Sequence, residues 1–407
     1  MSPETWTPLP SETFDIPVHE IRRGYRSDVY FWRSKVALEN SQNHVAAMSQ
    51  VFQRDDSVLC GVDESLATLK LGSGYYTDRD GAYKLFDQLM LLKKKIRFLY
   101  FQSRSDMLAA QKERLDIEHQ LDRLWQSTAD EISVHTLRDG DDIGPWETVM
   151  TIAGPLYQFI HLETLFLGIL ARRTRIATSV RRVVEAAGGK PILYFPARFD
   201  HWHMQGGDGY AARIGGAQTV STDAQGEWWG AVGAGTIPHA LIAACRGDTV
   251  SAVQLFSENY PDTNLIALVD FDNDSIGTSL AVAEHLGERL WGVRLDTSGT
   301  LVDKSLQDQL GDFPPTGVNP HLVRNVREAL DSAGHGHVKI IVSGGFDAQR
   351  IAAFEEQGVP VDIYGVGSSL MGGARDFTAD IVQVDGQPVA KVGRSLQPND
   401  RLVHIPL

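Results

Sequence analysis

Two glycine-rich segments stand late in the chain, Ile340-Ile-Val-Ser-Gly-Gly345-Phe-Asp347 and Ile363-Tyr-Gly-Val-Gly-Ser-Ser369. Each follows an apolar run and leads into a helical pattern. Glycine lets backbone amides approach a phosphate closely, and a following helix start favours negative charge. One such loop reads equally well as a plain turn. Two in succession, at the strand exits where α/β enzymes hold phosphate, make Ser343, Gly344, Gly345, Gly365, Gly367 and Ser368 candidate phosphate ligands. In Trp291-Gly-Val-Arg294-Leu-Asp296-Thr-Ser298, a cation and an anion stand two residues apart. On a strand that spacing turns both to one face, and a fully apolar parallel strand has no use for either. Arg294 can bind a phosphate or a carboxylate in bidentate fashion, and Asp296 can accept hydrogen bonds from ribose hydroxyls. Phe195 and Arg198, in Tyr194-Phe-Pro-Ala-Arg198, suit a flat anionic ring. Gly235-Thr236-Ile-Pro-His239 puts a histidine beside a helix start, where an added phosphate would be stabilised.

Two other clusters are read as non-metal. His201 and His203 with Asp200 and Asp208 form a polar loop. Asp270, Asp272 and Asp274 lack the central glycine and terminal glutamate of a calcium loop. No protein-held metal is expected.

These residues need a scaffold of parallel strands. Apolar strand candidates occur at 192–195, 230–235, 265–270, 290–295, 338–342 and 361–366, separated by helical stretches at 211–214, 238–245, 279–285, 320–333 and 348–356. Such alternation implies right-handed crossovers and chemistry at the carboxyl ends of the strands. Six strong strands favour an irregular, incomplete α/β barrel over a full one, with a doubly wound sheet as the alternative. Upstream, 28–40 has helical spacing, 51–53, 58–61, 131–137 and 149–154 read as strands, and 156–177 as an apolar helix. Leu85, Leu89, Leu92, Ile96 and Leu99 recur at helical spacing within 80–128, which predicts a long helix or helical hairpin whose Lys93-Lys94-Lys95 run is a solvated face. The tail 376–391 reads as a hairpin returning to the first domain. The expected organisation is therefore an α+β sandwich domain, 1–150 with 374–407, around an α/β barrel of 151–373.

The 407 residues include 43% hydrophobic and 22% charged residues, with a formal charge of -14. That composition is globular, and the acidic balance argues against a nucleic-acid or membrane-surface partner. Two cysteines, Cys60 and Cys245, exclude a disulfide framework and fit a reducing cytoplasm. The amino terminus lacks the pattern of a secretory signal, and no stretch approaches the roughly 20 apolar residues of a membrane span.

In order along the chain, the motifs resemble the nicotinate phosphoribosyltransferase family, in its archaeal-type branch. They are Asp28-Val-Tyr30, Gly154-Pro155 to Glu163-Thr164, Phe195-Pro-Ala-Arg198, Ile214-Gly-Gly216, Gly235-Thr-Ile-Pro-His239, Arg294-Leu-Asp296 and the two glycine loops, and the branch is carried by the tail Phe377-Thr-Ala-Asp-Ile-Val with Ala390-Lys-Val-Gly-Arg394. The resemblance implies an irregular barrel with a sandwich domain built from both chain ends. It also implies a dimer or larger homo-oligomer with shared active sites, and transfer of a phosphoribosyl group from 5-phosphoribosyl-1-pyrophosphate to nicotinate in NAD salvage. ATP would be a co-substrate acting through a phosphohistidine, here His239, with Mg²⁺ arriving on the pyrophosphate groups. Asp28, Tyr30 and Arg33 would reach a partner's pocket, Tyr30 and Phe195 would sandwich the pyridine, and Arg198 would pair with its carboxylate. Arg294 with Asp296 would hold the ribose phosphate, with Thr236 beside them. Gln218 stands where nicotinamide-using relatives carry an acid, which leans toward a carboxylate substrate. Pro196 and Phe199 depart from the family pattern, and the stretch 80–128 lies outside it. Nicotinamide or quinolinate phosphoribosyltransferases are the rival enzymes, and a phosphate-binding regulatory barrel is the rival outside catalysis.

Overall fold

The computed structural model describes residues 6–407 apart from 43, 310 and 312; the start of the expected loose amino-terminal segment, residues 1–5, lies outside the described residues. The chain divides into two compact units, residues up to Thr174 with Ala374–Leu407, and Arg175–Gly373.

The first unit is built on a six-stranded antiparallel sheet. Its order is Gln387–Pro388, Thr378–Val384, Ala46–Phe52, Thr148–Pro155, Ser133–Thr136, Val403–Ile405. The carboxy-terminal segment thus returns to this sheet, with Thr378–Val384 beside Ala46–Phe52, whose burial alternates little because core side chains cover it (Val51, Met150 and Ile152 are fully buried). The expected strand at 51–53 begins earlier, at Ala46, and that at 58–61 shrinks to Ser57–Val58. The apolar stretch expected as one helix from 156 breaks into Leu156–Phe159 and a single 3-10 turn before the long helix Glu163–Ala186. The helical hairpin forms as Arg79–Leu99 and Arg104–Leu124. Asp78 and Ser103 cap the two starts by accepting from Gly81 N and Asp106 N. Ala82, Phe86, Leu89, Ile117 and Leu121 close its own small core. One member of the lysine run is not a solvated charge. Lys93 Nζ lies 2.9 Å from the carboxylate of Glu20, which is itself buried.

The second unit is a curled half-barrel of six parallel strands. Their order is Leu265–Leu268, Leu290–Leu295, Lys339–Val342, Ile363–Val366, Ile192–Tyr194, Thr219–Val220. Continuous apolar runs form the central strands because both faces are covered. The expected strand at 230–235 is a loop, touching the sheet only through a bridge between Gly233 and Val220. The sixth position belongs instead to Thr219–Val220. Close packing fixes the turn that follows: a Cβ at Gly226 would stand 1.9 Å from the Ala231 carbonyl oxygen. The five expected helices form, two of them with wider bounds, Gln205–Gly215 and Ser275–Leu286, and Thr249–Asn259 is an additional one.

The Ile214-Gly-Gly216 motif has a packing cause. A Cβ at Gly215 would fall 2.6 Å from the Ala177 carbonyl oxygen and 2.7 Å from Val180 Cβ, so glycine is what lets the two helices approach. Gly215→Ala is expected to destabilise the protein by about 1–3 kcal/mol, read as a lower urea midpoint.

Glu163 opens the long helix half-buried. Burial first, then the neighbouring carboxylates of Asp380 and Asp28, raise its pKa to about 7. The folded chain therefore holds this proton more tightly than the unfolded chain does. The stabilisation is complete below the ordinary glutamate value of 4.5 and is lost as pH rises through about 7. The thermal midpoint should fall across that window, and Glu163→Gln should flatten the fall; an unchanged slope in the variant would refute this origin.

Candidate active site

The carboxyl ends of adjacent parallel strands share one edge, so residues just beyond them meet regardless of their separation in sequence. Arg294 and Asp296 leave the strand Leu290–Leu295 on the same face, with Arg294 Nη2 donating to Asp296 Oδ2 at 3.1 Å. Asp296 Oδ1 accepts from Ser343 Oγ at 2.7 Å, from the end of the next strand. Arg294 Nη1 donates to Thr236 Oγ1 at 2.8 Å. Thr236, Arg294, Asp296 and Ser343 therefore form one hydrogen-bonded chain, half-buried to buried. The Arg294 guanidinium carbon also lies 5.8 Å from the centre of the Phe195 ring, so the expected aromatic and phosphate ends meet at this arginine. Arg198, by contrast, is exposed and sits over the Phe199 ring at 5.2 Å.

The loop after Lys339–Val342 has both glycines in the left-handed region, Gly344 at φ +88° and Gly345 at φ +74°. A side chain at Gly344 would crowd Asp296 Oδ1 at 3.3 Å. Arg350 was not singled out from sequence. Its Nη1 donates to the carbonyl oxygens of Gly344 and Gly345 at 2.8 and 3.2 Å, and its Nη2 to that of Val318. Its guanidinium also lies 4.2 Å from the Phe346 ring centre. Tying down the carbonyls holds the two peptide planes in one orientation. Asp347 caps the following helix through the Arg350 amide at 2.8 Å.

The second glycine loop is revised. Gly365 lies within the strand Ile363–Val366, buried and paired with Leu193. A Cβ there would meet the Phe195 ring at 3.0 Å, and one at Gly367 would meet the Phe199 ring at 2.9 Å. These glycines make room for aromatic rings, and Ser368 starts the short turn beyond them, exposed. Gln218 stands immediately before the marginal strand Thr219–Val220, which lies four strands from Leu290–Leu295 in the sheet order.

His239 opens the helix His239–Ala244, and its Nε2 lies 3.3 Å from Asp270 Oδ1. The histidine is 47% exposed, while the aspartate is 6% exposed. The contact is of ion-pair length and not aligned as a hydrogen bond, which leaves Asp270 Oδ1 without another partner. Burial raises the Asp270 pKa, and His239 opposes that shift. Asp270 was read only as part of an acidic run; what reveals it is its place at the end of the neighbouring strand. Among the described residues no group of three His, Cys, Asp or Glu side chains converges for a metal ion.

In the first unit, Asp28 and Thr164 bond reciprocally, the Asp28 amide to Thr164 Oγ1 at 3.1 Å and Thr164 Oγ1 to Asp28 Oδ2 at 2.9 Å. This anchors the helix Val29–Asn40 at its start and leaves Tyr30 61% exposed, with Arg33 exposed beside it. No helix of the described residues is long and apolar enough to cross a membrane.

Residues 176–378 match the family described as quinolinate phosphoribosyl transferase, C-terminal domain. The chain is 35% identical over 265 residues to the nicotinate phosphoribosyltransferase pncB1 of Mycobacterium tuberculosis, covering 62% of this chain and 54% of that protein. It is 29% identical to the nicotinate phosphoribosyltransferase of Bacillus subtilis, covering 58% and 45%. The chain thus spans about half the length of these curated relatives. Among solved structures, a nicotinate-nucleotide pyrophosphorylase from Pyrococcus furiosus superposes with a TM-score of 0.70 at 28% identity, over 97% of this chain and 86% of that one. Human nicotinic acid phosphoribosyltransferase shares the fold, with a TM-score of 0.61 at 18% identity over 91% and 77%. The half-barrel with this ordered edge thus has the fold of the type II phosphoribosyltransferases, and the chain is similar in sequence to nicotinate phosphoribosyltransferases.

Proposed function

We propose that the chain joins nicotinate to 5-phosphoribosyl-1-pyrophosphate, giving nicotinate mononucleotide and pyrophosphate in NAD salvage. The observation that carries this is the bonded chain Thr236–Arg294–Asp296–Ser343, set beside the Gly344-Gly345 loop and the Phe195 ring. Breaking the bond between ribose C1 and pyrophosphate develops positive charge on the sugar, so the protein's task is positioning and charge stabilisation. Asp296 is held by two donors and keeps acceptor capacity for a ribose hydroxyl. Arg294 Nε is buried without a partner, a donor that a bound anion oxygen would satisfy. The amides of the Arg350-tied loop would face the 5-phosphate. Phe195 offers a face to the pyridine. A homo-oligomer in which Asp28, Tyr30 and Arg33 of another copy complete the pocket agrees with the exposure of Tyr30, and a cytoplasmic setting agrees with two unpaired cysteines.

ATP coupling belongs to the same proposal. With His239 Nε2 turned to Asp270, Nδ1 is the nitrogen left to attack the γ-phosphorus of ATP. The N–P bond forms as the P–O bond to ADP breaks, and the Asp270 carboxylate balances the charge gained by the ring. Mg²⁺ would ride on the phosphate oxygens and neutralise their charge, which asks for one or two carboxylates such as Asp270 rather than a protein cage.

Pyrophosphate release measured on nicotinate, nicotinamide and quinolinate, with and without ATP, tests the reading. Nicotinate is expected to lead, with ATP stimulating turnover. Release on none of the three would leave the phosphate-binding regulatory barrel. His239→Ala should abolish the ATP stimulation and keep slow ATP-independent turnover; unchanged coupling in that variant would overturn the histidine's assignment. Arg350→Ala should raise the KM for 5-phosphoribosyl-1-pyrophosphate by roughly tenfold, the loss of about one charge-assisted hydrogen bond, with a smaller effect on kcat.

A further inference from the structure

The first unit contains a cavity of about 410 Å³ where the helix Val29–Asn40 faces the base of the helical hairpin. That volume lies within the range of small-molecule sites, roughly 300–1,000 Å³. Its walls are aromatic: Trp32 and Tyr83 on one side, Tyr76 and Trp125 in edge contact on another, and Tyr75 exposed at the mouth. None of these residues is used by the reaction proposed for the barrel.

The polar groups around the cavity set what it would take. Lys35 is buried but fully engaged. It bonds to the carbonyl oxygens of Gly74 and Tyr157 at 3.1 and 2.9 Å and pairs with Glu39 at 2.9 Å. Lys35 and Glu39 thus neutralise each other and form a fixed wall. Arg22 lies over the Trp125 ring at 4.8 Å and is shared with Asp122 at 2.8 Å. Arg79 is exposed and bonds to the neutral Asn40 at 2.8 Å; it has no carboxylate partner among the described residues. The cavity therefore keeps an uncompensated cation. Two of the lining residues, Tyr76 and Trp125, carry buried donors, Oη and Nε1, with no hydrogen-bond partner. Orphaned buried donors are costly, so a ligand that supplies acceptors removes a penalty already present.

We propose that this cavity is a second ligand site, for a planar heteroaromatic anion of mononucleotide size. The base would lie among Trp32, Tyr83 and Trp125, its ring nitrogens or carbonyls would accept from Tyr76 and Trp125, and the phosphate would face Arg79 with Arg22. Face-on aromatic contact favours a flat ring, and the arginines favour phosphate over a neutral substituent. The site is complete within the first unit and stands whether or not the barrel transfers a phosphoribosyl group.

Titration of the full chain with AMP, followed by calorimetry and by quenching of tryptophan fluorescence, tests it. Saturable binding should survive Arg294→Ala, which disables the barrel edge, and weaken at least about tenfold in Arg79→Glu, a reversal of one phosphate-facing charge. Adenosine and inorganic phosphate alone should each bind more weakly than AMP. Tyr75→Ala, at the exposed mouth, serves as a second variant, with unchanged thermal midpoints certifying the fold. Absence of AMP binding at millimolar concentration, or binding that Arg294→Ala removes and Arg79→Glu leaves intact, would overturn the proposal.

Discussion

The Asp296 carboxylate is the group on which the barrel edge depends. One oxygen accepts from Arg294 on its own strand and the other from Ser343 on the neighbouring one. The two charges sit two residues apart at the end of an otherwise apolar strand, where desolvation would penalise either one alone. Each is tolerated because the other is present and because Ser343 and Thr236 occupy further valences. The same bonds bring the exits of two strands and the Thr236 segment into one fixed arrangement. The Gly344 turn is part of that arrangement, since its missing side chain leaves Asp296 its room.

Glycine in this molecule serves two ends that the sequence does not distinguish. Gly344 and Gly345 hold positive φ in a loop whose carbonyls an arginine clamps from behind. Gly365 is a strand residue whose absent side chain lets the Phe195 ring lie against the sheet. Both sit in a similar local pattern, and only the three-dimensional neighbours separate a backbone offered to a ligand from a backbone cleared for a ring.

Much of the scaffold was legible because its physics is local. Parallel strands buried on both faces must be continuous apolar runs, and 265–268, 290–295, 339–342 and 363–366 are such runs. The hairpin 79–124 was legible from its helical spacing. The sixth strand was not. Thr219–Val220 is too short to leave a pattern, while the small residues of 230–235 imitate one and form a loop. In the site, Arg294 with Asp296 announced itself by putting charge into a strand. The pairing of His239 with Asp270 had no such signature, because His239 follows a loop while Asp270 follows the strand Leu265–Leu268, in a run of acids that suggests calcium. Arg350 reads as an ordinary helical surface arginine, and its role appears only once the turn of Gly344 and Gly345 places their carbonyls in its reach.

A half-barrel keeps what a closed barrel abolishes, two unpaired margins. Here the outermost strands are Leu265–Leu268 and Thr219–Val220, four and two residues long, the latter covered in part by the bridge from Gly233. A strand of another molecule could register only a few hydrogen bonds on margins so short, too few to hold it. The opening that leaves the sheet incomplete is thus also proofed against self-templated strand addition, and a lengthened rim, rather than a weakened core, is the change that would invite aggregation.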